Sequence, residues 1–451
     1  MPEFQLLVAA VAGIAFLLFL IIALKLHAFA ALMLSSVLIG LVAGMEPAAV
    51  LESVTRGMGG TLGTIAVLVG LGAMFGQMLE ASGGAQRVAE LLLNSFGESR
   101  AQWSLALTGF IVAIPVFFDV GFIILVPLVF GLAHRTARPV TYFGLPLLAG
   151  LAATHAFIPP TPGPIAVAEL LGADLGWVVL FGALCGAPAT VVAGPVYASF
   201  ISRHVTAGVP EELMPAPAPE GEAPDGKPLP STGLVLGLIV IPLVLILVST
   251  TSKALLAEGS LLRDVLLFIG NPVIALLISC LLCFRLLGLA RGYSRDEVSE
   301  LANKALEPAG IIILVTGAGG VLKQTLIDSG VGDVLASQLL GTGLPVLVLG
   351  FLIAWAMRLM QGSATVAMLT AAGLASTLLA DASLSAQQNA LLVVCIAAGA
   401  TATSHVNDSG FWLVNRYFGL SVPDTLRTWT AASSLIGFCA LIAALFLGAL
   451  L

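Results

Sequence analysis

Charge is scarce in this sequence: 10% of its 451 residues are Asp, Glu, Lys or Arg and 59% are hydrophobic, against about 25% charged in ordinary soluble domains. A water-soluble fold of this length would need a polar surface that 18 Lys and Arg and 25 Asp and Glu cannot supply. A mean hydropathy of +1.07 says the same, so the lipid bilayer is the expected solvent. No run of basic residues offsets the net charge of −7, which excludes nucleic acid as a partner, because phosphate binding needs a concentrated basic face. Cysteine is rare too. Cys185, Cys280, Cys283, Cys395 and Cys439 lie in apolar stretches. The Cys280/Cys283 pair has neither the second pair nor the histidines of a zinc site, so all five read as small buried hydrophobes. None of the 49 glycines builds a nucleotide loop, since no Gly-rich turn follows a strand and precedes Lys-Ser/Thr; no metal and no cofactor are expected.

What is present is a series of apolar runs. The first, Phe4 to Leu24, has no basic residue ahead of it, which disfavours a cleavable signal peptide and favours a membrane helix, since roughly 20 apolar residues cross the hydrocarbon core. Further spans are predicted at 28–44, 58–79, 140–170, 176–200, 232–252, 268–290, 309–327, 387–414 and 428–451, making ten. Two longer runs, 102–133 and 344–380, are interrupted near their middles by Pro115, Asp119 and Gly121 and by Arg358, Gln361, Gly362 and Ser363. Broken backbone at membrane depth is tolerated only where protein or a water-filled cavity satisfies it. Both runs are therefore expected to be re-entrant helical hairpins, and the fold class an all-α polytopic membrane protein. The patterns Gly59-xxx-Gly63 and Gly72-xxx-Gly76 predict close helix packing.

Residues 206–231 carry seven prolines and five acidic groups, a density that cannot bury enough surface to fold, and read as a solvated linker between two halves, 1–205 and 232–451. The halves repeat. A shift of 247 superimposes Gly70/Gly317, Gly72/Gly319, Gln77/Gln324, Ser82/Ser329 and Gly83/Gly330; paired Gly, Gln and Ser-Gly are not what an apolar composition supplies by chance. Five crossings and one hairpin per half is an odd count, which turns the second copy upside down and makes inverted repeats, an architecture of secondary transporters. The cations support this count: thirteen of the 18 fall on one face, which should be cytoplasmic, four on the other, and Arg358 lies inside a hairpin. Both termini are then expected outside and the linker inside.

Ionisable and helix-breaking groups within spans are costly and so are functional candidates. Four clusters stand out: 117–122 around Asp119; 154–164, with His155, Thr161, Gly163 and four prolines; 358–365, with Arg358, Gly362, Ser363 and Thr365; and 404–410, with Ser404, His405, Asn407 and Asp408. Hairpin pairs with hairpin and His155 with His405 across the repeat, so four broken elements should converge. Half-helix N-termini pointing into such a site carry partial positive charge and free N–H donors, which suits a carboxylate. Arg358 offers a guanidinium fork for that carboxylate, or a structural pair for an acidic side chain. His155 and His405 are candidates for carrying protons, with a tautomer locked by packing as the alternative; Asp119 and Asp408 are candidates for the proton relay or for coordinating a cation, with capping of a broken helix end as the alternative. Thr161, Thr365, Ser404 and Asn407 are candidates for binding hydroxyl groups, or for capping. Gly163, Gly362 and Ser363 would let backbone approach a ligand closely.

At these residues the sequence resembles the gluconate permease (GntP) family of the ion transporter superfamily. The stretches that carry the resemblance are GGTLGTIAVLVGLGAMFGQML (59–79), SGGAQRVAE (82–90), FFDVGFIILVPLVF (117–130), THAFIPPTPGP (154–164), AGPVYA (193–198), IGNP (269–272), GSATVA (362–367) and SHVNDSGFWL (404–413), in the family's order along nearly the whole chain. The resemblance implies a symporter of 10 to 12 helices for gluconate or a related sugar acid, working with protons in the cytoplasmic membrane and not an enzyme. Asp119 stands where members commonly have Glu, Thr161 where His is often seen and Ser409 where Pro is common, departures that bear on which sugar acid is carried. The alternatives are 2-keto-gluconate, glycerate, idonate or hydroxybutyrate, with protons or sodium as driver. A homodimer is an expectation by analogy with elevator-type transporters.

Overall fold

A computed structural model describes residues 3–97, 100–207, 227–331, 344–378, 384–406 and 408–451. Its regular elements are helices. In the first half these are α1 (Glu3–Ile22), α2 (Ala28–Val42), α3 (Pro47–Ala81), α4 (Gly84–Phe96), α5 (Ala101–Val112), α6 (Phe118–Thr136), α7 (Val140–Phe157), α8 (Pro162–Leu171), α9 (Leu175–Val191) and α10 (Tyr197–Ile201). The second half contains α11 (Thr232–Leu255), α12 (Leu261–Ile269), α13 (Pro272–Cys283), α14 (Arg295–Asp328), α15 (Val346–Gln361), α16 (Ala364–Leu378), α17 (Ala386–Thr401), α18 (Ser409–Tyr417), α19 (Val422–Thr425) and α20 (Ala431–Gly448). Moving α3, α5, α6, α7 and α8 along by 247 residues lands them on α14, α15, α16, α17 and α18 to within a few residues at each end. The repeat legible in 70–93 and 317–331 thus continues into the elements; 332–340 and most of the linker, 208–226, lie outside the described residues.

Among the described residues eight helices are long and apolar enough to cross a membrane, fewer than the ten crossings expected. Seven of the expected spans are among them, and the eighth is Phe118–Thr136, expected as a hairpin arm. Its 19 residues suffice to cross by themselves. The runs at 28–44 and 387–414 form shorter apolar helices, because the second is broken after Thr401 and the first stops at Val42. At 4–24, helix α1 has 20 residues. Both expected hairpins are two helices with a break: 113–117 separates α5 from α6, and Gly362 with Ser363 separates α15 from α16.

The breaks have local causes. In the first half, Pro159, Pro160, Pro162 and Pro164 remove backbone donors, so α7 stops at Phe157 and α8 restarts with Pro162 in its first turn, where a missing N–H costs nothing. In the second half no proline does this. Helix α17 ends where Ala402 turns extended (φ −63°, ψ 140°), and Thr403 after it takes a left-handed conformation (φ +61°), a strained state for a β-branched residue. Its hydroxyl is held by the indole N–H of Trp355 at 3.1 Å and by Ser434 at 3.0 Å. Gly362 ends α15 at φ +79°, a conformation glycine adopts without a Cβ clash.

Small residues seat the breaks against their neighbours. A Cβ on Gly150 of α7 would lie 2.2 Å from the Ala106 carbonyl of α5, and one on Gly399 of α17 would lie 2.2 Å from the Phe351 carbonyl of α15. The two halves therefore make the same backbone-to-backbone contact. Gly72 and Gly76 of α3 likewise abut the carbonyls of Pro160 and Pro115. A Cβ on Gly59 or Gly63 would meet nothing within 4 Å among the described residues, so the packing expected of that pair is corrected: α3 meets α14 at Gly57, whose Cβ would lie 2.6 Å from the Gly320 carbonyl. Cys185, Cys280, Cys283 and Cys395 are buried among apolar helices.

Candidate functional site

Four helices begin at one place. The N-terminal turns of α6 (Phe118, Asp119), α8 (Pro162, Gly163), α16 (Ala364, Thr365) and α18 (Ser409, Gly410) line a single cavity of about 280 Å³. The C-terminal turns of α7 (His155) and α17 (Thr401) complete it, with Arg358 from the end of α15. Each helix start carries about half a positive charge, and each leaves backbone N–H groups without intrahelical partners, although in α8 Pro162 and Pro164 reduce these to Gly163. No side chain caps α6 or α8. The cavity is thus an anion-attracting space built mainly by backbone.

Its charged centre is a buried network. Arg358, 4% exposed, donates from Nη2 to Asp408 and from Nη1 to the carbonyl of Gly362. Asp408 also caps α18, accepting from the amide of Gly410 at 3.2 Å, and receives the hydroxyl of Ser404. The indole N–H of Trp429 in turn donates to Ser404 Oγ at 2.8 Å. Trp429 sits in a widened, π-type turn, Leu426–Thr430, between α19 and α20, the kind of helix defect that recurs at functional sites. Its ring stacks on Phe118 at 5.4 Å, giving the cavity an apolar wall. Two polar atoms beside this network are buried without a hydrogen-bond partner among the described residues: Arg358 Nε and His155 Nδ1.

Of the residues singled out from sequence, Asp119, His155, Gly163, Arg358, Ser363, Thr365 and Asp408 line the cavity together. Arg358 is not free; the acidic pairing weighed as its alternative role is the one the structure contains. Four others are placed differently. Thr161 turns its hydroxyl back to the Ile158 carbonyl at 2.7 Å and faces a small void beside Gly72 and Pro115. Gly362 and Ser404 stand behind the cavity as partners of Arg358 and Asp408. The ring of His405 is not among the lining groups, and its carbonyl accepts from the Asp408 amide at 2.9 Å. Asn407 lies outside the described residues. Lys323 donates to the Leu170 carbonyl at 2.6 Å and closes the end of α8. Sequence reasoning missed Trp429 and Phe118; the signal for the former was an indole N–H in an apolar run, which when buried requires an acceptor.

This arrangement of long apolar helices around broken half-helices meeting at a polar cavity defines a multi-pass membrane transporter. The solved structure of the Alcanivorax borkumensis YdaH transporter, described as having an unusual topology, has the same fold: the TM-score is 0.65 over 94% of this chain and 98% of that one, at 13% identity. The sequence comparisons give the family. A GntP family permease model matches residues 5–451, and the chain belongs to that family. It is 42% identical to the low-affinity gluconate transporter of Escherichia coli K12, covering 97% of both chains. It is also 38% identical to a gluconate permease of Pseudomonas aeruginosa, over 99% of this chain and 98% of that one. The L-idonate transporter of the E. coli K12 Gnt-II system is 36% identical over 99% of each. The protein is a permease, not an enzyme.

Proposed function

We propose that this permease imports gluconate or a closely related sugar acid through the cytoplasmic membrane by proton symport, moving between inward-open and outward-open states around the cavity described above. The observation that carries the reading is the convergence of four helix N-termini on a space that also holds Arg358. Backbone amides and a guanidinium together recognise a carboxylate, while Thr365, Ser363 and the cavity-facing backbone supply partners for hydroxyl groups. The gluconate-transporting relatives support this substrate class, and the L-idonate relative supports a neighbouring sugar acid as the second reading.

The proposal includes the arrangement in the membrane. Residues 1–205 and 232–451 form inverted repeats that move relative to each other, the linker 206–231 is cytoplasmic, both termini are periplasmic, and the assembly is a homodimer. Proton coupling is proposed to use one of the four candidates Asp119, His155, His405 and Asp408. Competition of labelled gluconate uptake by a panel of acids tests the substrate class. Inhibition by six-carbon sugar acids is expected; inhibition by short hydroxybutyrate or glycerate but not by gluconate itself would overturn it.

A further inference from the structure

We propose that Asp408 is the coupling proton's carrier and that it works by competing with the substrate carboxylate for Arg358. The inference rests on the sugar-acid symport reading and adds to it which group is protonated and why transport of the acid requires it.

Among the described residues lining the cavity, Arg358 supplies the one guanidinium. Its Nη1 is committed to the Gly362 carbonyl, its Nη2 to Asp408, and its buried Nε has no partner among the described residues. Nε and Nη2 share one edge of the guanidinium, the edge a carboxylate grips with two parallel hydrogen bonds. Half of that edge is taken by Asp408. An arriving carboxylate either settles for Nε alone or displaces Asp408 from Nη2.

Displacement is a matter of charge. Arg358 and Asp408 form a buried ion pair that is neutral as a whole. Substrate without a proton adds a second carboxylate to one guanidinium, and a proton without substrate strands the guanidinium; either leaves an uncompensated buried charge, which is costly. Substrate and proton together restore neutrality. The other groups facing Asp408 across the cavity are Asp119 from α6 and His155 from α7, with Ser404 and His405 on its own segment.

The proton has a place to go. Ser404 donates its hydroxyl hydrogen to Asp408 and accepts from Trp429. A hydroxyl has two acceptor positions, so when a proton from bulk water adds to the Asp408 carboxylate, the new O–H donates to Ser404 Oγ. The Ser404 hydrogen turns away, and Nη2 of Arg358 transfers its hydrogen bond to the substrate. On release the steps reverse: the substrate leaves, Asp408 gives its proton to water, and the ion pair re-forms. No other bond is made or broken.

The test is calorimetric titration of gluconate into the purified full-length chain near pH 8 in buffers of different ionisation enthalpy, which reads protons taken up per gluconate bound. Expected are about one proton for the native chain, about none for Asp408→Asn, and about one for Asp119→Asn; Asn keeps the α18 cap that Asp408 provides. Native affinity should weaken about tenfold per pH unit on the alkaline side, and the Asp408→Asn affinity should stay flat. An undiminished proton uptake in Asp408→Asn, or none in the native chain, overturns the proposal. If Asp408→Asn does not fold, loss of the proton in Asp119→Asn overturns it by placing the carrier on α6, and retention supports it. An absence of any gluconate binding heat in the native chain would instead count against the substrate reading, a distinguishable failure.

Discussion

Replacing Gly76 by Ala should disturb the cavity from behind. The new Cβ would lie 2.1 Å from the Pro115 carbonyl oxygen, when such atoms essentially never approach closer than 3.0 Å, so the break between α5 and α6 must retreat by about 1 Å. That break carries Phe117 and leads directly into Phe118 and Asp119, all on the cavity wall. Overpacking of this kind costs about 1–3 kcal/mol, and exchanging glycine for alanine inside a helix returns about 0.5–1 kcal/mol, leaving a net loss of about 0–2.5 kcal/mol. Misplacing a site by this amount is worth about 10²-fold in rate. Gly59→Ala in the same helix is the control: its Cβ meets nothing within 4 Å, so only the helix term remains and the variant should be stabler by about 0.5–1 kcal/mol with transport unchanged. Thermal unfolding in detergent and initial uptake rates in proteoliposomes read both quantities. If Gly76→Ala unfolds no earlier and transports no more slowly than Gly59→Ala, the close approach of α3 to the hairpin break does not shape the site.

Arg358→Lys keeps the charge but cannot hold Asp408 and the Gly362 carbonyl in one planar fork; uptake should fall at least about tenfold at normal membrane abundance, and Arg358→Ala should abolish it. Near-normal gluconate uptake by Arg358→Ala would remove the basis for carboxylate binding there. Trp429→Phe preserves the stack on Phe118 and loses the donor to Ser404; a loss of about 1 kcal/mol should raise KM about fivefold with little change in abundance, which transport kinetics would measure. Outside the spans, burial pushes the Asp174 carboxyl up, but hydrogen bonds from Lys253, Thr250 and the Gly176 amide outweigh it and hold it below the usual carboxylate range. A folded-state pKa below the unfolded one contributes stability above the unfolded value and loses it as pH falls through the folded value. The α9–α11 junction should therefore be fully held at neutral pH and weaken in acid, and Asp174→Asn should flatten the acid limb of thermal stability; an unaltered limb would contradict this.

Much of the site was readable because each break announces itself chemically. Four prolines end α7, glycine ends α15, and a charge at membrane depth marks Asp119, Arg358 and Asp408. The 247-residue shift gave the element correspondence for the same reason, since glycine pairs must recur where the backbone contacts recur. What could not be read depends on rotation and register. Gly59-xxx-Gly63 and Gly72-xxx-Gly76 are indistinguishable as strings, yet their helix turns one pair toward the carbonyls of two helix breaks, at Pro115 and Pro160, and the other to open space among the described residues. His155 and His405 match across the repeat by offset, but His155 ends a helix at the cavity whereas His405 falls in the left-handed exit after Thr403, which no proline foretells. Trp429 is an ordinary apolar letter until the widened turn rotates its N–H onto Ser404.

The central claim, proton-driven import of a sugar acid, is tested most directly by reconstituting the chain into proteoliposomes with an inward proton gradient and following labelled gluconate. The account predicts accumulation above equilibrium that collapses on adding a protonophore and is competed by related six-carbon acids. Gluconate entry only to equilibrium, or accumulation that persists with the protonophore present, would contradict it.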